Sequence, residues 1–290
     1  QVLDAQFRSS AGSLMTKPLE QLFAETFHSR FAIAFINGTA TMHAALAAAG
    51  VGPGDEVIVP PLTMAATAFA VLHANAIPVF ADIDPDTYCL DGQSVRAAIT
   101  PRTKAIVPVH LAMRFAEMNS LLSLASEFNL KIVEDCAHAH GGAYKGRGAG
   151  AMGDIGSFSL QESKLMTSGE GGLLTTNSLE LYEALQTVIN CGRASLTDEY
   201  GKRLLGLNYR MTDLQIALLI GQMETLPALR EKRSRHAALL TELLSGIPHV
   251  RALPAQPAIT QETIYTYVFQ YRPEPGRPAP HRDLFVAALE

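Results

Sequence analysis

Charge of either sign is scarce in this chain: Asp, Glu, Lys and Arg make up 18% of 290 residues, and the formal net charge is −5. The basic residues are scattered, so no patch suits a nucleic acid or an anionic membrane surface, and neither is expected as a partner. Long apolar runs are missing too. Stretches such as Phe31 to Ile36 and Ala65 to Leu72 fall far short of the roughly 20 residues needed to cross a bilayer. Cysteine is limited to Cys89, Cys136 and Cys191, too few and too dispersed for a disulfide framework or a metal cluster, so reduced thiols and no metal are expected. The opening Gln1-Val2-Leu3-Asp4 carries neither an initiator Met nor a basic-then-apolar leader, which points to the cytoplasm. At the other end, His281 to Glu290 reads as a helix without a cap, and an incomplete C-terminus is expected.

What is present is apolar residue, 48% of the chain, enough to bury a large core. Short β-branched runs at 31–36, 56–59, 78–82, 105–109, 131–134, 155–159 and 173–175 read as strands. Between them, 39–49, 64–75, 116–128 and 179–190 repeat apolar residues at helical spacing. This alternation predicts an α/β fold with a mainly parallel central sheet covered by helices, and such sheets collect ligands at the carboxyl ends of their strands. After Thr212 the pattern changes to helices at 213–226 and 229–245, a Pro-rich stretch, and an alternating strand at 264–271. A large domain over 1–225 and the start of a smaller α+β domain over 226–290 are expected.

The residues that carry chemistry fall at those strand ends. Lys164 lies in a turn after Ser157-Phe158-Ser159 and before Gly169-Glu170-Gly171-Gly172, and Asp135 closes the apolar run from Leu130. A lysine, a strand-end carboxylate and a glycine-flanked turn are what pyridoxal phosphate requires: an amine for a Schiff base, an acid to keep the ring nitrogen protonated, and amides and hydroxyls for the phosphate. Asn37-Gly38-Thr39 joins a strand to a helix, whose positive end attracts a phosphate, and Ser159 can add a hydroxyl. For Asp135 a helix cap is the plainer alternative. His138 and His140 follow it, and either can pack on a cofactor or be an internally satisfied ring. His110 falls at another strand end, and Asn208-Tyr209-Arg210 stand together before a helix that Thr212 can cap, within reach of a phosphate or a polar substrate.

The blocks Asn37-Gly38-Thr39-Ala40, Gly52 to Pro60, Glu134-Asp135-Cys136-Ala137-His138, Ser157 through Lys164 to Gly172, and Gly206 to Met211 occur in the order found in the DegT/DnrJ/EryC1/StrS aminotransferases, and the chain resembles that family. The resemblance implies a fold-type-I enzyme dependent on pyridoxal 5'-phosphate, working as a homodimer with shared active sites. It implies Lys164 as the Schiff-base lysine, Asp135 on the pyridine nitrogen and His138 at the ring. Gly38, Thr39 and Ser159 are then the phosphate ligands, with Asn208 reaching the phosphate from the partner subunit. It further implies transfer of an amino group from glutamine or glutamate to a keto-cyclitol or keto-sugar, Lys164 moving the proton, as in amino-sugar or antibiotic biosynthesis.

Two positions depart from the family's pattern. Met64 stands where relatives carry an aromatic that stacks on the ring, and Met113 where they carry glycine near the substrate mouth. Competing readings are a dehydratase of the same family, against which Lys164 argues, a cysteine desulfurase using Cys191, and a binding or regulatory protein that retains only the fold.

Overall fold

The computed structural model describes residues 2, 13–193, 205–273 and 275–290, so most of the opening tetrapeptide lies outside the described residues. Seven strands form the central sheet: β1 (Phe31–Phe35), β2 (Glu56–Val59), β3 (Ile77–Phe80), β4 (Thr103–Ile106), β5 (Lys131–Asp135), and, after a small hairpin of β6 (Ala143–Tyr144) and β7 (Arg147–Gly148), β8 (Ile155–Ser159) and β9 (Gly172–Thr176). Their order across the sheet is β1-β9-β8-β5-β4-β2-β3. β2 is parallel to β3 and β4, β4 to β5, and β5 to β8; β9 runs antiparallel between β8 and β1. The mainly parallel sheet is therefore as expected. β2, β9 and nearly all of β5 are buried, which is why these strands read as apolar runs with little alternation.

Helices cover both faces. α1 (Thr16–Thr26) precedes the sheet, and α2 (Gly38–Ala48), α3 (Ala66–His73), α4 (Gly92–Ala98), α5 (Met118–Phe128) and α6 (Leu179–Ile189) connect its strands. Caps set several starts: the side chains of Asn37, Asp91, Glu117 and Ser178 accept the amides of Ala40, Ser94, Ser120 and Leu181. The core splits into two apolar clusters. One contains Phe23, Phe27 and Phe158, whose rings stack and cross at centroid distances of 4.1 to 5.2 Å; the other surrounds Leu46, Val57 and Leu174.

The C-terminal part differs from the sequence reading in two places. One helix, α7 (Asp213–Leu244), of 32 residues, replaces the two predicted at 213–226 and 229–245, and it runs through the boundary placed at residue 225. Pro227 lies inside it and lacks the N–H of one helical bond, a local cost of about 3 kcal/mol. Ile216, Leu219, Met223 and Leu226 are buried in the first core cluster, and that packing keeps the helix continuous. The predicted strand at 264–271 shrinks to β12 (Phe269–Tyr271), paired with β10 (Val250–Ala252). Residues 264–268 take no ladder because their polar groups go elsewhere: Arg233 holds the carbonyls of Ile264 and Tyr265, Ala112 O accepts the Tyr265 amide, and Met113 Sδ accepts the Val268 amide. β11 (Ile259–Gln261) adds to β6 in a three-stranded sheet and ties this segment to the large one, while a short α8 (Arg282–Ala287) ends the chain's elements.

Candidate active site

Parallel strands deliver their last residues to one edge, where Asn37, Pro60, Asp135 and Ser159 follow or end β1, β2, β5 and β8. Asp135 is 9% exposed. Its carboxylate accepts the Thr67 hydroxyl at 2.9 Å and the Ala137 amide at 3.1 Å. Burial pushes its pKa up; those two hydrogen bonds and the positive charge of Lys164 act in the opposite direction. Asp135 is thus a carboxylate short of positive charge, with Lys164 inside its electrostatic reach.

Lys164 sits in the turn that follows β8, its amide donating to Gln161 O at 2.9 Å, and its Nζ lies 4.7 Å from the centroid of the Tyr265 ring. The same Tyr265 ring stacks on His138, with centroids 4.0 Å apart and planes 12° from parallel. His138 Nδ1 accepts the Ala112 amide at 3.2 Å. Burial first, then the charges of Lys164 and His140, bring the His138 pKa down to about 3, so the ring is neutral and carries its proton on Nε2. His140 is fully buried against Phe158, and burial pulls its pKa down to about 4.

At the other side of this edge, Gly38 begins α2 directly against Ser159. A Cβ built on Gly38 would stand 2.6 Å from Ser159 Cβ, so only a bare backbone fits. Asn37 takes the Ala40 amide on its side chain and the Thr41 amide on its carbonyl, leaving Gly38 and Thr39 at the positive end of the helix.

Not every predicted residue joins this group. His110 is 1% exposed. Its Nε2 donates to Glu134 at 3.0 Å, its Nδ1 accepts the Ala116 amide at 3.3 Å, and Phe115 covers the ring at 4.6 Å, so both ring nitrogens have partners within the chain. Glu134 also accepts the amides of Gly150, Met152 and Gly153. His110, Glu134 and Cys136 bring ligand-type atoms within 4.8 Å of one another, but four donors already occupy the carboxylate. Met64 stands just ahead of α3 and is 74% exposed. Asn208 is exposed and bridges to Asn190; Tyr209 hydrogen-bonds His43 Nδ1 through its hydroxyl at 3.0 Å, and Arg210 donates to Asn190 Oδ1 at 3.0 Å. This short segment pairs with the end of β1, so Tyr209 and Arg210 have structural partners within their own chain.

Three contributors escaped the sequence reading. Thr67 is the second residue of α3 and carries no motif; Ala112 acts through its backbone; Tyr265 lies in what reads as an ordinary alternating strand. A groove of about 390 Å³ between α7 and residues 264–267, lined among others by Lys232, Arg233, His236 and Tyr267, lies next to Tyr265 and contains none of the predicted site residues.

Known proteins resemble the chain throughout. It is 42% identical over 273 residues to a putative L-glutamine:3-amino-2,3-dideoxy-scyllo-inosose aminotransferase of Streptoalloteichus tenebrarius, covering 92% of this chain and 65% of the relative. It is 40% identical over 264 residues to the L-glutamine:2-deoxy-scyllo-inosose aminotransferase of Micromonospora echinospora, covering 84% and 63%. The chain therefore spans about two thirds of the length of the curated relatives it matches. Among solved structures, 3-amino-5-hydroxybenzoic acid synthase superimposes with a TM-score of 0.88 at 34% identity, over 92% of this chain and 70% of that one. DesV of S. venezuelae superimposes with a TM-score of 0.90 at 32% identity, over 99% and 74%. The profile of one family matches residues 1–290 from end to end, and the chain belongs to the DegT/DnrJ/EryC1/StrS aminotransferase family.

Proposed function

We propose that the protein is a pyridoxal-phosphate-dependent aminotransferase that takes the amino group of glutamine and places it on a keto-cyclitol. The observation that carries this reading is the buried Asp135 carboxylate, short of positive charge, at the same sheet edge as Lys164 and the Gly38–Ser159 contact. These residues fit the cofactor on chemical grounds. A cationic ring nitrogen offsets the cost of burying Asp135, the amide-rich start of α2 suits a phosphate, and the bare Gly38 lets it approach. The names of the relatives, aminotransferases of inososes with L-glutamine, support the donor and the ketone class.

When bound, the cofactor supplies an aldehyde for an amine and a ring that withdraws electrons from the bonded carbon. Asp135 would keep the proton on the ring nitrogen, and Thr67 and Ala137 hold the carboxylate in place. The Gly38 and Thr39 amides and the Ser159 hydroxyl would hold the phosphate. His138, neutral and with its proton on Nε2, presents a donor beside the ring. Lys164 Nζ would be the amine that holds the aldehyde, and as a free amine it would be placed to take the proton from the substrate carbon. Met64, exposed just ahead of α3, would be available to cover the ring. Two copies share their sites as a homodimer, the exposed Asn208 reaching across to the partner's phosphate, and the enzyme works in the cytoplasm. No helix among the described residues is long and apolar enough to cross a membrane.

The test is spectroscopic. Protein loaded with pyridoxal phosphate should show the visible absorbance of a lysine-bound cofactor, L-glutamine should abolish it, and 2-deoxy-scyllo-inosose should restore it. Lys164→Ala should never show the band. A band that survives that substitution, or one indifferent to amino donors, overturns the reading; restoration by nucleotide-linked keto-sugars alone moves it to the sugar class.

A further inference from the structure

Tyr265 reaches the cleft from the segment after β11 and is fixed along its backbone. Its amide donates to Ala112 O at 3.0 Å, and its carbonyl accepts Arg233 Nη1 at 3.1 Å. Its hydroxyl lies 3.1 Å from Ser163 Oγ, next to Lys164 in sequence. Ala112 holds φ at 57°, the left-handed region that a residue with a Cβ adopts only when its surroundings impose it. The same Ala112 donates its amide to His138 Nδ1, so one constrained residue joins the His138 ring to the Tyr265 backbone. The Tyr265 ring then stacks on His138 and offers its electron-rich surface to Lys164 Nζ at 4.7 Å.

We propose that Tyr265 is a positioning residue: its ring seats the Lys164 ammonium whenever that amine is not covalently engaged, and keeps His138 stacked in its Nε2–H form. The purpose of such a seat rests on the aminotransferase reading, in which the lysine must leave and return in every half-reaction. A carboxylate would hold the ammonium strongly and fix its proton. A ring face holds it only about three- to thirtyfold better than open water, which keeps the amine close while letting it go.

Cofactor-free protein provides the first tests. The ε-methylene protons of Lys164 should resonate upfield in the wild-type proton NMR spectrum because of the ring current; unshifted protons overturn the seat without any variant. Trace acetylation of Lys164, measured by mass spectrometry against Lys131 and Lys145 in the same sample, should rise about threefold or more in Tyr265→Leu and stay within about twofold in Tyr265→Phe. Labelling that is unchanged in Tyr265→Leu, or raised equally in Tyr265→Phe, overturns the role of the ring. In the loaded enzyme Tyr265→Leu should lower kcat about three- to thirtyfold with KM for glutamine within about twofold, and a change confined to KM contradicts positioning. The first two measurements stand whether or not glutamine is the donor. Conversely, a wild-type cofactor band that glutamine leaves untouched removes the functional reading and leaves the seat intact.

Discussion

Glu134 and Asp135 are neighbours at the end of β5, yet the strand's pleat sends them to opposite faces and opposite uses. Glu134 is fully buried and receives four donors: three backbone amides from the 150–153 turn and the His110 ring. Asp135 is nearly as buried but receives two, and burial pushes its pKa up. A carboxylate whose hydrogen-bonding capacity is filled organises the fold around it. One left wanting a cation would suit the cationic ring proposed above.

The sharpest way to break this comparison is to remove each acid in turn. Glu134→Ala strands three amides and a histidine in the core and should cost about 3–5 kcal/mol of unfolding free energy, read by denaturant titration. Asp135→Asn should keep the fold, leave cofactor-free stability at neutral pH equal or higher because a buried charge is gone, and lower turnover by about 10²- to 10³-fold. Equal destabilisation by the two substitutions would erase the distinction. Glu20, a third carboxyl, receives fewer donors than either: it accepts the Ala34 amide at 2.9 Å, and burial, opposed by that bond and by Lys17, pushes its pKa from 4.5 up to about 7. The native state therefore holds the proton more tightly than the unfolded chain does. Stability should fall as pH rises from about 4.5 to about 7 and level off above, by roughly 1–3 kcal/mol, and Glu20→Gln should flatten that slope in melting curves across the range.

The sheet was legible because most of its strands are buried on both faces. Runs such as Glu56–Val59 and Ile155–Ser159 appear where they were read, and the turns after them place Gly38, Asp135 and Ser159 at one edge. The strand-end position of His110 was legible as well, but its burial beside Glu134 was not, since that pairing depends on how the 150–153 turn folds back. Tyr265 was hidden for a related reason. Its segment has strand periodicity, and only the tertiary bonds to Ala112 and Arg233 take it out of a ladder and into the cleft. The division of α7 into 213–226 and 229–245 failed in the opposite direction, because Pro227, a local helix breaker, is outweighed by apolar packing that no window of sequence contains.

The unbroken α7 has a mechanical consequence. At 1.5 Å per residue it is a rod of about 48 Å. It is clamped into the core as far as Leu226, and Arg233, which grips the backbone of Tyr265, stands about 10 Å further along. Tilting the stretch beyond Leu226, which Leu229, Arg230 and Thr241 also tie to neighbouring segments, by about 5° would carry Arg233 sideways by about 1 Å, enough to lengthen or shorten the gap between an aromatic ring and an amine.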